Sequence, residues 1–287
     1  MVLKRYCFDQ TSWMLASEGV ESAGDLMRVI IADSPEAVAR MGAEQCIRLL
    51  QDKPAAVLGL ATGSTPIALY AHLIQRRQQG EVSFHQVRTF NLDEYIGIAP
   101  QHPQSYRSFM QKQLFDHIDV LPENTHIPNG MGDPIAESRA YEDKIHSAGG
   151  IDLQILGLGR NGHIGFNEPT SSLSSRTRAK TLTQETIRDN SRFFSADEEQ
   201  PHLAITMGIG TILDARKIML LAAGAAKADA VKAMVEGPIS AMHPASALQM
   251  HPSALVIVDT DAASKLELID YYRWVQSETL RVQGAYL

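Results

Sequence analysis

An imidazole and a carboxylate, His163 and Glu168, stand five positions apart in Gly157-Leu158-Gly159-Arg160-Asn161-Gly162-His163-Ile164-Gly165-Phe166-Asn167-Glu168-Pro169. The glycines break any helix, so the pair is not the i, i+4 arrangement of a helical metal site. A histidine oriented by a carboxylate can shuttle protons near neutral pH. The same pair can also be a hydrogen-bonded structural histidine, and the spacing leaves both open. The preceding run Ile151-Asp152-Leu153-Gln154-Ile155-Leu156 has the pattern of a buried strand. The turn therefore lies where an open α/β sheet presents chemistry, at the carboxyl end of a strand. Gly157 to Gly162 also fits a dinucleotide fingerprint. Gly165 and Pro169 fall where that motif needs its phosphate-facing helix, and no Asp or Glu occurs from 170 to 184 to take a ribose. A nicotinamide site is excluded on those grounds.

Other segments offer complementary chemistry. Gly59-Leu60-Ala61-Thr62-Gly63-Ser64-Thr65-Pro66 ends an apolar run, and Pro66 suits the first turn of a helix. Helix-start N–H groups with Gly63, Ser64 and Thr65 can surround a phosphate; a plain strand-to-helix turn is the alternative. The missing P-loop lysine argues against a nucleotide. In Thr89-Phe90-Asn91-Leu92-Asp93-Glu94-Tyr95 two carboxylates leave an apolar run. Alternation points Asp93 and Glu94 in different directions, so that one faces the crevice as a general base and the other binds backbone or faces solvent, unless both are ordinary loop acids. Lys227 follows the run Ile218–Ala222 through Gly224-Ala225-Ala226, where an ammonium either meets a phosphate or lies on the surface. Between Ser171 and Arg192, the cations Arg176, Arg178, Lys180, Arg188 and Arg192 outnumber Glu185 and Asp189. That bias suits an anionic substrate or effector, or a solvated basic surface.

A sheet must hold these groups. Apolar runs at Ala55–Leu60, Val87–Asn91, Leu153–Leu156, Leu203–Met207, Ile218–Ala222 and Ala254–Val258 alternate with helical patterns at 35–51, 66–79, 104–115, 136–148, 225–235 and 262–278. Ser34 caps the first helix and Pro35 opens it. The alternation predicts an α/β fold: one open, doubly wound, mostly parallel sheet with helices on both faces, in a single domain. At 287 residues, 44% of them hydrophobic, the chain can bury a full core. Its net charge of −7 argues against nucleic-acid binding. No apolar run reaches the ~18 residues of a membrane span, and Met1 to Trp13 lacks the apolar core of a secretory signal, so a cytoplasmic protein is expected. Cys7 and Cys46 are too few and too separated for a disulfide framework or metal site, and Cys46 shares a helical face with Val38, Met41 and Leu49.

Taken together, Leu58–Pro66, Phe90–Tyr95, Gly157–Pro169 and Asn190-Ser191-Arg192-Phe193-Phe194 resemble, in the same order, the motifs of the glucosamine-6-phosphate deaminase family (glucosamine/galactosamine-6-phosphate isomerases), from about Met27 to about Tyr272. The resemblance implies a Rossmann-like domain with an active-site lid at about Leu182 to His202. It implies conversion of glucosamine 6-phosphate and water into fructose 6-phosphate and ammonium, without a metal or organic cofactor. Asp93 would be the base moving a proton between C2 and C1. His163 would open the pyranose ring by proton exchange at its oxygen, oriented by Asn161 and Glu168. Gly63, Ser64, Thr65, Arg192 and Lys227 would hold the phosphate. In hexameric members N-acetylglucosamine 6-phosphate activates at a subunit interface, and Ser171, Arg178, Lys180, Thr181 and Tyr271 match residues used there. A homo-oligomer, leaning towards a hexamer, is therefore implied.

Two departures from the family pattern carry expectations. Some members have aspartate where this chain has Asn161; an amide can orient His163 but cannot favour its protonation by charge, so a lower proton affinity is expected here. Met27 aligns with the start of effector-responsive members, and 26 residues precede it. Either Met27 is the true start or residues 1–26 form an extension to the domain at 27–287 that alters the effector site. In the second case a full-length chain responds weakly and a chain beginning at Met27 regains activation. The alternatives are the galactosamine 6-phosphate epimer enzyme, 6-phosphogluconolactonase, and a non-catalytic sugar-phosphate sensor domain of a transcription regulator. The Phe90–Tyr95 and Gly157–Pro169 strings favour a deaminase over the lactonase. Residues 1–26 are too few and insufficiently basic for a DNA-binding module.

Overall fold

In the central strand runs, apolar side chains fill both alternating rows, so each strand needs cover on both faces. The computed structural model describes residues 27–184, 187, 188, 194 and 200–283, and meets that need with a parallel sheet between helical layers. The main sheet contains β1 (Arg28–Ala32), β2 (Val57–Leu60), β3 (Arg88–Asn91), β5 (Thr125–His126), β6 (Leu153–Gly157), β9 (Lys217–Ala222) and β10 (Ala254–Asp259). Its spatial order is β1-β10-β9-β6-β2-β3-β5, with every neighbouring pair parallel. A second, antiparallel sheet has the order β4 (Asp93–Tyr95), β8 (Leu203–Thr206), β7 (Arg178–Thr181).

The helices are α1 (Pro35–Asp52), α2 (Thr65–Gln78), α3 (Tyr106–Gln113), α4 (Pro134–Ser147), α5 (Ile209–Leu213), α6 (Ala228–Val235) and α7 (Ile269–Gln283). Leu58, Leu60, Met219, Leu221 and Ile257 pack with Val38 of α1, Leu69 and Leu73 of α2 and Met110 of α3. The alternate positions Val57, Ile218, Leu220, Val256 and Val258 pack with Tyr141 and Ile145 of α4 and Val231 and Met234 of α6. Each fully buried Leu or Ile contributes roughly 1.5–3 kcal/mol, so the two faces together fix which helices cover which side.

The chain runs outward through β2, β3 and β5, then returns to the other side of β2 as β6 and continues to β9 and β10. The order reverses between β2 and β6, and the crevice outside their carboxyl ends is where such sheets bind ligands. A Cβ at Gly157, the end of β6, would lie 3.8 Å from Thr65 at the start of α2. The two ends face each other across a short gap.

Several expectations shift in detail. Leu203–Met207 supplies β8 of the second sheet, because at Leu92 the chain leaves the main sheet: Leu92 N–H donates to Leu60 O at 3.1 Å, and Met207 N–H donates to Leu92 O at 2.7 Å. The helix expected from 262 starts at Ile269. Buried Ala262 and Ala263 instead form a turn on Asp259, whose side chain accepts from Ala262 N–H at 2.8 Å. Residues 225–227 form a 3-10 turn ahead of α6. The edge strand β1 and the two-residue β5 carried no recognised signal. Cys46 is fully buried in α1, which pushes its thiol up to about 12; Cys7 lies outside the described residues. Among the described residues no helix is long and apolar enough to cross a membrane.

Candidate active site

Gly63 adopts φ 95°, a left-handed conformation that glycine takes without steric cost and that lets β2 turn sharply into α2. Gly63 and Ser64 are exposed and Thr65 is half-buried. Ser64 makes no side-chain cap to α2, so the start of the helix, the positive end of its dipole, keeps N–H groups that this side chain does not satisfy. Lys227 comes from the 3-10 turn after β9 and donates from Nζ to Leu158 O, just past β6, at 2.7 Å. Its ammonium is thereby held at the same sheet edge. Arg192 lies outside the described residues, as do Asn190, Ser191 and Phe193.

The two neighbouring carboxylates are separated by strand alternation. Glu94 turns away to bind backbone: Oε1 accepts from Tyr95 N–H and Tyr106 N–H, each at 2.9 Å, and Oε2 from Arg107 N–H at 3.0 Å. Asp93 is 6% exposed, and no described group donates a hydrogen bond to its side chain. Its Oδ2 would lie 3.3 Å from a Cβ placed on Gly165, so a side chain there would crowd the carboxylate. Burial first, and then the Glu94 charge, push the Asp93 carboxyl up to about 8. Burial raises Glu94 too, while its three backbone hydrogen bonds and Arg107 oppose the rise.

The loop after β6 gathers the third set. No helix follows Gly157 before β7, so the glycines there lead into a loop. Asn161 bridges its neighbours, donating from Nδ2 to Glu168 Oε2 at 2.7 Å and accepting at Oδ1 from His163 N–H at 3.3 Å. His163 Nδ1 lies 3.3 Å from Glu168 Oε2, an ion-pair distance without hydrogen-bond geometry, and Nδ1 has no other described partner. The His163 ring lies against Gly159, where a Cβ would come within 2.4 Å of ring atoms. Only glycine leaves room for the imidazole there. Thr170 has φ 78°, an uncommon conformation for a β-branched residue, and its N–H donates to Ala241 O at 2.8 Å. Strain of this kind persists where the surroundings over-determine the backbone, and it clusters at functional sites.

The effector-matching residues divide. Ser171 is buried, and its Oγ has no described hydrogen-bond partner. Arg178 and Lys180 lie on one row of β7, with Thr181 beside them, and Arg178 Nη1 donates to Asn167 Oδ1 at 2.7 Å. Tyr271 is on α7, which packs beside β1, and its described ring contacts are Tyr272 and Trp274. Arg176 of the basic cluster pairs with Glu142 and Asp214 and serves structure. Three buried or half-buried polar residues were missed in the sequence. Asn167 donates to Ile164 O and Met207 O, each at 2.8 Å; Thr206 Oγ1 accepts from Phe166 N–H at 3.1 Å; Glu142 ties α4 to Thr177 and Thr211. The polar Thr206 within an otherwise apolar strand run was the one available signal.

No group of three or more His, Cys, Asp or Glu among the described residues is arranged to hold a metal. On one sheet edge the crevice gathers the glycine turn into α2, the Lys227 ammonium, a buried carboxylate of raised proton affinity and a carboxylate-flanked imidazole. Residues 32–257 match the model of a family described as glucosamine-6-phosphate isomerases/6-phosphogluconolactonase. The chain belongs to this family. Within it, the chain is 59% identical over 257 residues to glucosamine-6-phosphate deaminase of Shewanella loihica, covering 89% of this chain and 96% of that one. It is 58% identical to the enzyme of the same name from Cellvibrio japonicus, covering 89% and 98%. Among solved structures, a monomeric glucosamine-6-phosphate deaminase superposes with TM-score 0.80 at 44% identity, covering 83% of this chain and all of that one. The 6-phosphogluconolactonase of Trypanosoma cruzi, at 18% identity and TM-score 0.66 over 84% and 97%, shares the fold.

Proposed function

We propose that this chain converts glucosamine 6-phosphate and water into fructose 6-phosphate and ammonium. One observation carries the proposal: of two adjacent buried carboxylates, Glu94 is consumed by backbone N–H groups while Asp93 is left beside the His163 loop with its proton affinity raised. A base of this kind suits removal of a weakly acidic C–H proton, because base strength rises with proton affinity. The names borne by the relatives at 58–59% identity support the same reaction.

The steps follow from the groups present. The N-terminus of α2, with Gly63, Ser64 and Thr65, and Lys227 binds the phosphate, joined by Arg192 as expected from the sequence; this anchoring positions the sugar. His163, oriented by Asn161 and Glu168, exchanges a proton at the ring oxygen and opens the pyranose to the aldehyde. The C2 proton is then acidic; Asp93 removes it and returns it at C1, while one proton passes from the C2 amine to O1, so that C1 becomes a hydroxymethyl group. The C2 amine now sits on an sp2 carbon as an imine, which water hydrolyses to the ketone and ammonia. No metal or organic cofactor enters this sequence.

Residues 27–287 form the sugar-phosphate domain in this reading, and residues 1–26 precede it. Ser171, Arg178, Lys180, Thr181 and Tyr271 would take N-acetylglucosamine 6-phosphate. Tyr271 stands on a different element from the other four, which fits a site completed by another copy in a homo-oligomer. Substrate choice is tested by measuring ammonium and fructose 6-phosphate release from glucosamine 6-phosphate, with the galactosamine epimer and 6-phosphogluconolactone in parallel. Turnover of the first alone is expected. Turnover of the epimer alone, of the lactone alone, or of none would assign the chain to the epimer enzyme, the lactonase or a sensor.

A further inference from the structure

The Glu94 carboxylate does more than cap a helix. It satisfies Tyr95 N–H on its own strand and the first two N–H groups of α3, Tyr106 and Arg107, while Ser105 Oγ accepts from the third, Ser108, at 3.0 Å. Charge-assisted bonds to a helix start are strong and directional. They fix where β4 meets α3, and that junction places two aromatic rings. Tyr95 and Tyr106 have ring centroids 4.9 Å apart, with their hydroxyls at 3.3 Å. Both rings pack on Phe166, at 5.8 Å from Tyr95 and at 6.0 Å, nearly parallel, from Tyr106. Phe166 is the residue after Gly165, which borders Asp93 Oδ2. Asp93 and Tyr95, two apart on one strand, point to the same side, and Glu94 points to the other. The three rings therefore stand on the side of β4 that carries Asp93.

We propose that Glu94 is a positioning residue for the reaction: it holds Tyr95, Tyr106 and Phe166 as an aromatic wall that keeps water from Asp93. The inference rests on Asp93 being the base. Around Asp93 the charged or titratable groups are Glu94 on its own strand, Tyr95, Tyr106 on α3, Tyr141 on α4 and, one strand beyond Thr206 in the same row, Arg178 of β7, whose Nη1 donates to Asn167 Oδ1. The contacts from β8 and from the loop after β6, Thr206 and Gly165, carry no charge. Arg107, the nearby cation on α3, acts on Glu94. Glu94 thus raises the proton affinity of Asp93 twice, directly by like charge and indirectly through the dry wall.

The two contributions separate in the pH profile of kcat for glucosamine 6-phosphate, whose acid limb reports ionisation of the base in the bound state. Glu94→Gln keeps an acceptor oxygen but removes the charge, and the acid limb should move down by roughly one pH unit or more. Phe166→Ala opens the wall without touching a charge and should move the limb in the same direction by less. Tyr106→Phe keeps the wall and should leave the limb in place. KM should change less than kcat in Glu94→Gln, since Glu94 lies away from the phosphate cradle. A purely structural Glu94 would lower the active fraction with the limb unmoved, and superimposable limbs for Glu94→Gln and the parent would overturn the proposal. A limb that moves in Glu94→Gln but not in Phe166→Ala would overturn the wall. Should Glu94→Gln fail to fold, Phe166→Ala decides alone. Full turnover by Asp93→Asn would remove the base and this inference with it, whereas an inactive Asp93→Asn beside unmoved limbs would remove only the inference.

Discussion

Replacing Asp93 by Asn should make the protein more stable while it loses activity. In the folded chain the Asp93 carboxyl is pushed up to about 8 from an ordinary 3.8, first by burial and then by Glu94. At pH 7 the unfolded chain ionises this group and the folded chain holds it largely protonated. One pH unit of displaced ionisation is about 1.36 kcal/mol. About three units accumulate between the unfolded value and pH 7, which sets a ceiling of about 4 kcal/mol on what Asp93 costs the fold there. Because the folded value lies above the unfolded one, the cost is absent below about pH 4, grows as pH rises and levels off above about pH 8. Asparagine has nearly the same shape and stays neutral throughout, so the variant should gain about 1–4 kcal/mol at pH 7, a rise of several degrees in Tm for a chain of this length. The assay is thermal unfolding of parent and variant from pH 4 to pH 8. The two should melt together near pH 4 and separate progressively above it. A variant that melts lower than the parent at pH 7, or by a constant difference at every pH, would refute this reasoning. A stability gain at the expense of turnover marks a residue kept for chemistry.

Lys227→Gln removes the ammonium held at Leu158 O, and should raise KM for glucosamine 6-phosphate by about tenfold or more, the equivalent of one charge-assisted bond. Steady-state kinetics check it, and an unchanged KM would place the phosphate elsewhere. Asn161→Asp adds a negative charge at the atoms that contact His163 and Glu168, so its kcat/KM profile should shift to higher pH on the limb that reports the imidazole. A profile superimposed on the parent's would count against electrostatic tuning at this position. Thr170→Gly releases a φ of 78° and should stabilise the chain by about 1 kcal/mol, seen as a higher Tm. A chain beginning at Met27 should respond more strongly to N-acetylglucosamine 6-phosphate than the full-length chain; equal activation curves would remove the idea that residues 1–26 alter that site.

Five of the seven strands of the main sheet, all but β1 and β5 at its edges, were legible because buried parallel strands write themselves as continuous apolar runs, as in Leu153–Leu156 and Ala254–Val258. Leu203–Met207 has the same signature yet belongs to the other sheet, since periodicity reports burial and not the identity of the neighbour. The Asp93/Glu94 pair shows a similar limit at the site. Alternation requires that the two carboxylates diverge, but which one is taken up by backbone depends on Tyr106 and Arg107, brought to Glu94 by the fold from the start of α3. The Gly157–Pro169 stretch was legible as a glycine-broken turn after a strand, but not the reason for its glycines: the crowding of Gly159 by the His163 ring and of Gly165 by Asp93 Oδ2 arises only in the fold. Glu142 left no trace in the sequence. Its work is to accept bonds from Thr177, Thr211 and Arg176 in tertiary contact, and an acid on a helix looks the same whether it does this or faces water.

Ammonium release from glucosamine 6-phosphate by the parent chain and by folded Asp93→Asn, at pH values on both sides of 8, tests the assignment of the base most directly. Turnover by the parent that rises as Asp93 ionises, and at least a hundredfold loss in the variant at every pH, as expected when a general base is removed, is the predicted result. Comparable turnover by the two proteins would contradict the role given to Asp93 and the reaction built on it.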